Sequence, residues 1–241
     1  MTPQFFVVED QVGAGQALLD EDDTRHLVTV LRARHGMRVR IADDAGSVWT
    51  GSYEGLSQGR ARVALRDRTV VPTPQPAITV VHALPKQRKL DDVIQRLTEL
   101  GVDRIVPVHS ERSQVDLDER RASKAVTRWR SVALAAAQQS HRARLPQVSE
   151  VGEWLTAFDL ATPGVVCWEG SSTPLRAALD AIRRPARFVI AVGPEGGLTE
   201  EEVAASGLPS VSLGRSILRT ETAALVAASA VSYHYGLMEA H

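Results

Sequence analysis

The stretch FVIAVGPEGGLTEEE, residues Phe188 to Glu202, decides how this 241-residue chain must fold. The apolar run Phe188 to Val192 is too short for a buried helix and is bounded by a glycine turn, so it reads as a buried strand. Gly193-Pro-Glu-Gly-Gly197 then leads directly into a helix whose start is well marked. Thr199 with Glu202 three residues later makes a capping box, and Leu198 with Val203 makes a hydrophobic staple. The next residues, SVSLGRSILRTETAALVAASA from Ser210 to Ala230, repeat the plan: a short strand Ser210 to Leu213, a turn Gly214 to Arg219, and a helix of small residues opened by Thr220. We expect two strand-loop-helix units lying side by side, with both loops open on the same edge of a sheet.

Composition narrows the class. An apolar fraction of 44% is enough for real cores, and the length permits one large domain or two modest ones. The single cysteine, Cys167, excludes an internal disulfide framework and suits a reducing compartment. The N-terminal MTPQFFVVED has neither a basic segment nor a long apolar one, and no apolar run approaches the ~20 residues that cross a bilayer, so a cytoplasmic protein is expected. A net charge of -1 excludes a bulk polycation, and any nucleic-acid binding must rest on local patches. Between Arg104 and Arg144 nine Lys/Arg face four Asp/Glu, and Arg25, Arg32, Arg34, Arg38 and Arg40 have no acid among them. Either patch alone reads equally well as a solvated face.

The period of the pattern changes once along the chain. Residues 1–71 read as a small β-rich domain: FFVV is strand-like, Met37 to Ile41 alternates strictly, and Ser47 to Tyr53 and Arg60 to Leu65 supply two more strands, a spacing that suggests a compact barrel. Within it, Leu27, Val30 and Leu31 fall at helical spacing, which would bury all three and project Arg25 and Arg32 outward. His26 is read as a packed histidine without chemistry. Residues 72–76 hold three prolines and make an extended connector. In residues 77–241 short apolar runs alternate with helices. Ala77 to Leu84 is a strand, and Leu90, Val93, Ile94, Leu97 and Leu100 make a helical stripe closed by Gly101. Arg104 to His109 is a strand, about Glu119 to Ser140 a long helix, Val165 to Trp168 a strand, and Pro174 to Ile182 a helix with Pro at its first turn. The fold class is α/β, with about five mostly parallel strands.

In such sheets ligands sit beyond the carboxyl ends of the strands. Three ends qualify: Cys167 to Gly170, Gly193 to Gly197, and Leu213 to Arg219. The middle loop lacks GxGxxG and is followed by no Gly-Lys-Ser/Thr, so it is neither a dinucleotide nor a Walker loop. One such loop alone is better read as a tight turn. Two together suit a flat polar cofactor held through backbone groups, with Arg219 and Glu221 at its rim. Trp168, at a strand's carboxyl end, is the tryptophan placed to stack a base, whereas Trp129 and Trp154 read as core. No His/Cys cluster has metal-ligand spacing.

VGPEGGLTEEE followed by LGRSILRTETAA closely resembles the C-terminal signature of the small-subunit ribosomal RNA uridine N3-methyltransferases, within the SPOUT superfamily. The likeness runs over essentially the whole chain: His26 to Arg32 is similar to the N-terminal PUA-like RNA-binding barrel, and KLDDVIQRLTELGV, Lys89 to Val102, to the first helix of the catalytic domain. It implies a C-terminal trefoil knot, a homodimer, and S-adenosylmethionine bound by Trp168, Glu169 and Gly170; by Gly193, Pro194, Glu195, Gly196 and Gly197; by Leu213, Gly214, Ile217 and Leu218; and by Thr222. The implied product is 3-methyluridine in 16S rRNA near the decoding site, the partner being 16S rRNA or the 30S subunit gripped through Arg25, Arg32, Arg34, Arg88, Arg96 and Arg128. Arg219 and Glu221 are the candidate catalytic residues. Transfer to N3 requires loss of the imide proton and stabilisation of the resulting negative charge, which an arginine can hold at any relevant pH. Glu221 and Glu195 are the acidic candidates for the proton. Glu221 reads as well as a helix N-terminal acid and Glu195 as a loop brace. Three positions depart from the family pattern: Ser216 stands where an arginine is usual, with Arg215 one place early, Gln138 replaces a usual Glu, and Arg96 stands where a lysine is frequent, a change compatible with phosphate binding. A non-catalytic ribosome-assembly factor and a tRNA methyltransferase are the alternatives.

Overall fold

A computed structural model describes residues 2–86 and 89–238. The chain forms two units, one from residues up to Thr73 with Ala137–Leu145, the other from Pro74–Ala136 with Pro146 onward.

In the first unit, β1 (Gln4–Phe6), β2 (Val12–Gly13), β3 (Gln16–Leu18), β4 (Arg38–Ala42), β5 (Ser47–Ser57) and β6 (Arg60–Val70) make one sheet in the order β1-β4-β5-β6-β3-β2. Only β1 runs parallel to its neighbour. The alternation of Val39 and Ile41 places them inward with Phe5, Leu19, Tyr53 and Val63, and that row is the core. The β5–β6 ladder slips in register near Gly51 and Gly55, which coils the hairpin. The barrel expected from the strand spacing is therefore a curled half-barrel, because β1 and β2 end the hydrogen-bonded path.

A short helix α1 (Glu21–Arg25), capped by the Asp20 side chain, runs into a π-helical turn at His26–Val30. That turn corrects the expected burial. Its wider i to i+5 winding, with the Leu31 N–H on the His26 carbonyl at 2.9 Å, keeps Leu27 and Leu31 on the core side but swings Val30 out to 64% exposure. His26 is exposed, with its ring set edge-on to that of Phe5 at a centroid distance of 6.2 Å. Gln138 donates to Asp23 Oδ1 at 3.4 Å, which accounts for the missing glutamate there, since a second carboxylate would face the first.

The second unit comprises β7 (Ala77–Ala83), α2 (Lys89–Glu99), β8 (Arg104–His109), α3 (Glu119–Gln139, whose residues from Ala137 on belong to the first unit), β9 (Gln147–Val148), β10 (Gly152–Glu153), β11 (Gly164–Cys167), α4 (Leu175–Ala181), β12 (Arg187–Val192), α5 (Glu200–Ala205), β13 (Ser210–Val211) and α6 (Thr220–His234). Its sheet runs β10-β8-β7-β12-β11-β13, with β9 also on β8, and every pairing is parallel. Gly101, at φ +87°, ends α2 as a Schellman cap, the Val102 N–H returning to the Leu97 carbonyl at 3.0 Å. Ala125, Val126, Trp129 and Ala133 of α3 are buried as one face, and Ala223, Ala224, Ala227 and Ala228 let α6 pack against α2, β7 and β12. One expectation changes: β12 and β13 are not neighbours but flank β11, because the short α5 carries the chain past β11 to the sheet's edge. Both following loops still open at the same edge, since all these strands point one way.

Candidate active site

At that edge the residues following β11, β12 and β13 enclose a cavity of about 460 Å³, inside the roughly 300–1,000 Å³ range of small-ligand sites. The three loops are locked to one another. The Thr220 hydroxyl, at the start of α6, donates to the Gly193 carbonyl at 2.5 Å, tying the last loop to the middle one. The Trp168 N–H donates to the Val211 carbonyl at 3.0 Å, tying the first loop to β13. The Glu169 carboxylate lies directly against Gly197, where any Cβ would collide and where φ is +74°. Beyond the middle loop, the expected capping box forms in full: Glu202 N–H donates to Thr199 Oγ1 at 3.2 Å, and Thr199 N–H donates to Glu202 Oε2 at 3.0 Å. Leu198 and Val203 meet in one apolar cluster, as the staple requires.

Of the residues implied for the cofactor, Trp168, Glu169, Gly193, Pro194, Glu195, Gly197, Leu213, Gly214, Ile217 and Leu218 line this cavity, and so does Arg219. Gly170, Gly196 and Thr222 do not. Gly170 acts through Trp168, because a Cβ there would stand 2.6 Å from the indole ring; Gly196 makes room for Arg112 in the same way; Thr222 is exposed on α6. Val192, Leu198, Val211, Ser212, Thr220 and Ala223 line the cavity without having been singled out. Only their places at strand and helix ends could have found them. The early Arg215 and Ser216 line it too, so the displaced arginine still reaches the cavity. Cys167 lies at its base, and burial pushes its thiol up to about 12, which makes it inert.

The charges around the middle loop are tightly allocated. Glu195 accepts the Lys89 ammonium at 3.0 Å and the Lys86 N–H at 3.1 Å. Burial opposes its ionisation, but these donors and its own N–H outweigh burial and hold the carboxyl below its ordinary value. Lys89 also stands 3.6 Å from Glu221 Oε1, so Glu221 faces the lysine and does not line the cavity, which corrects its expected place at the rim. Lys89 is held above the ordinary lysine value, first by its bond to Glu195. The Arg219 guanidinium is exposed and has no hydrogen-bond or ion-pair partner among the described residues.

Among the residues expected to grip RNA, Arg25, Arg32, Arg34 and Arg96 are exposed. Arg25 stands 3.3 Å from Asp22. Arg128 is partly exposed but paired: its guanidinium is bound to Asp91 at 3.0 Å, and the Trp129 indole donates to the same carboxylate at 2.9 Å, so it braces α3 against α2. Arg88 lies outside the described residues. Trp129 and Trp154 are buried, at 3% and 2% exposure, as the sequence suggested.

A model of an RNA methyltransferase domain matches residues 72–232, and a model of an RNA methyltransferase PUA domain matches residues 19–65. The chain is therefore an RNA methyltransferase carrying a PUA domain. It is 33% identical, over 96% of its own length and 92% of the relative's, to ribosomal RNA small subunit methyltransferase E of Mycobacterium tuberculosis (strain CDC 1551 / Oshkosh). It is 32% identical to the protein of that name from Bacillus subtilis (strain 168), over 90% of each. The solved structure of the Neisseria gonorrhoeae ribosomal RNA small subunit methyltransferase E bound to S-adenosyl methionine superposes with a TM-score of 0.83, at 31% identity over 96% of this chain and 97% of that one. The chain belongs to the ribosomal RNA small subunit methyltransferase E family.

Proposed function

We propose that this chain methylates N3 of a specific uridine of 16S rRNA near the decoding site, acting in the cytoplasm as a homodimer whose last loops are tied as a trefoil knot around S-adenosylmethionine. The carrying observation is an unpartnered Arg219 on the wall of a cavity built from three loops at the carboxyl edge of a parallel sheet. The cavity fits the cofactor: Gly193 and Gly197 expose backbone to a ligand, while Leu213, Ile217 and Leu218 offer apolar contact. When bound, the cofactor supplies a methyl group activated on a positively charged sulfur.

Arg219 has five N–H donors and a permanent charge, and its task is to hold the negative charge that spreads over N3, O2 and O4 once the imide proton leaves. Glu195 and Glu221 both face Lys89, and the role assigned to them here is to fix the middle loop and the first turn of α6. The imide proton then passes to solvent at the open side of the cavity.

The test is transfer of a labelled methyl group to 30S particles that lack the modification, followed by mass analysis of nucleosides. Arg219→Ala should lower turnover about 10²- to 10³-fold, the usual cost of losing one charge-stabilising donor, while calorimetry shows S-adenosylmethionine binding within about threefold of the parent. Full turnover in Arg219→Ala rules out the assigned role. A folded protein that binds no S-adenosylmethionine is instead an assembly factor, and methylated tRNA with unmodified rRNA moves the target.

A further inference from the structure

β8 ends at His109, and the four residues after it form a turn with little freedom. The Ser113 N–H donates to the Ser110 carbonyl at 2.9 Å, the Ser110 N–H donates to Ser113 Oγ at 3.1 Å, and the two hydroxyls meet at 2.9 Å. At the tip, the Glu111 N–H donates at 2.8 Å to Glu202 Oε1, the same buried carboxylate that completes the capping box of α5. The turn is thus pinned to the element that follows the Gly193–Gly197 loop. Arg112 lies directly on that loop, its Nη1 3.3 Å from the Gly196 carbonyl. Gly196 allows the approach, since a Cβ there would come 3.0 Å from Arg112 Cβ and 3.2 Å from its carbonyl oxygen.

Arg112 is exposed, does not line the cavity, and stands across the loop wall from it. One weak hydrogen bond uses one of its five N–H donors, and no ion pair with it is found among the described residues. Glu195 and Glu221 do not neutralise it, because Lys89 engages both. Glu111 beside it is exposed, as is Lys86 near the same loop. A rigid backbone thus presents a charged, mostly unsatisfied fork to solvent, directly against the Gly193–Gly197 loop that lines the cavity.

We propose that Arg112 binds a backbone phosphate of the RNA strand next to the target uridine, an inference that rests on the methyl-transfer reading above. A guanidinium fork matches two phosphate oxygens, and a solvent-facing arginine outside the base pocket positions the strand rather than reading its sequence. The bond to the Gly196 carbonyl holds the fork in place before the RNA arrives, so less side-chain freedom is lost on binding.

The test compares the full-length parent, Arg112→Ala and Arg112→Lys on 30S particles lacking the modification. Arg112→Ala should raise KM for the particles about tenfold with kcat changed by less than about twofold, and lower the slope of log affinity against log salt by about one. Arg112→Lys should recover part of the KM, since it keeps the charge without the fork. S-adenosylmethionine affinity by calorimetry should match the parent in both. If Arg112→Ala weakens cofactor binding while the salt slope stays as in the parent, the arginine is only a brace for the Gly196 loop and the proposal fails. Unchanged KM and slope also overturn it. Should the parent itself bind cofactor yet methylate no small-subunit RNA, the functional reading falls first and takes this proposal with it.

Discussion

Removing the Glu202 carboxylate should loosen the turn after β8 and the start of α5 at once. Glu202 is only 5% exposed, and its two oxygens take different backbone donors, Glu111 N–H at 2.8 Å and Thr199 N–H at 3.0 Å. Hydrogen bonds to a charged group contribute about 1.5–3 kcal/mol each. Thr199 is buried, so its freed N–H finds no water, whereas Glu111 is exposed and its N–H can be rehydrated. For Glu202→Ala the loss should therefore be about 3 kcal/mol, below the sum of two full bonds. Glu202→Gln keeps one carbonyl oxygen but turns an NH2 toward the other donor, and about 2 kcal/mol is expected. Urea unfolding gives the stabilities. Hydrogen exchange read on peptides spanning residues 108–113 and 193–203 locates the effect, and calorimetry should show weaker S-adenosylmethionine binding in step with it. If Glu202→Gln stays within about 0.5 kcal/mol of the parent, the range of ordinary surface substitutions, and neither peptide exchanges faster, the carboxylate does not couple the loops.

Thr220→Val keeps the shape at the start of α6 and deletes the hydroxyl bonded to the Gly193 carbonyl. It should cost about 1 kcal/mol of stability and weaken cofactor affinity more than turnover at saturation; an unchanged calorimetric affinity refutes the clamp. Burial, with Asp20 and then Asp22 adding to it against the Gln138 bond, pushes the Asp23 carboxyl up to about 6 from 3.8. Because the folded state binds this proton more tightly than the unfolded one, Asp23 costs stability above pH 6, and the cost fades as pH falls toward 4. Asp23→Asn should accordingly stabilise the protein at pH 7.5 by about 1–2 kcal/mol, after discounting for water at the carboxylate, and add little at pH 4; an equal gain at both pH values in urea unfolding refutes this.

Local chemistry made much of the second unit legible. The Gly101 cap, the Thr199–Glu202 capping box and the apolar face of α3 are all encoded by residues within a few positions of one another, and they lie where the pattern put them, whereas β13 stops at Val211, short of the expected Leu213, and β9 and β10 were not foreseen. Pairing order was not legible, because nothing in Ser210 and Val211 says that they should add to β11 rather than β12. Val30 was misread because apolar spacing does not separate an α turn from a π turn. In the candidate site, loops that carry glycines announced themselves. Thr220 and Arg112 did not, since each takes its meaning from one carbonyl far away in sequence, Gly193 for the first and Gly196 for the second.

The allocation of charge separates a basic composition from a basic surface. Arg128 and Arg130, counted in the basic excess between Arg104 and Arg144, are bound to Asp91 at 3.0 Å and Glu150 at 2.8 Å, and Arg121 stands 3.3 Å from Asp118. These pairs are not equal. Arg121 and Asp118 are well exposed, so water and salt screen their attraction and a phosphate can displace the carboxylate at little cost. Asp91 also holds the Trp129 indole, and drawing Arg128 away would leave a half-buried carboxylate short of a partner between two helices. Arg121, with the exposed Arg120 and Lys124, is therefore available to an anion, whereas drawing Arg128 away would loosen α2 against α3. At the cavity the same logic runs the other way. Lys89 engages Glu195 and Glu221, while Arg219 keeps no ion-pair partner among the described residues.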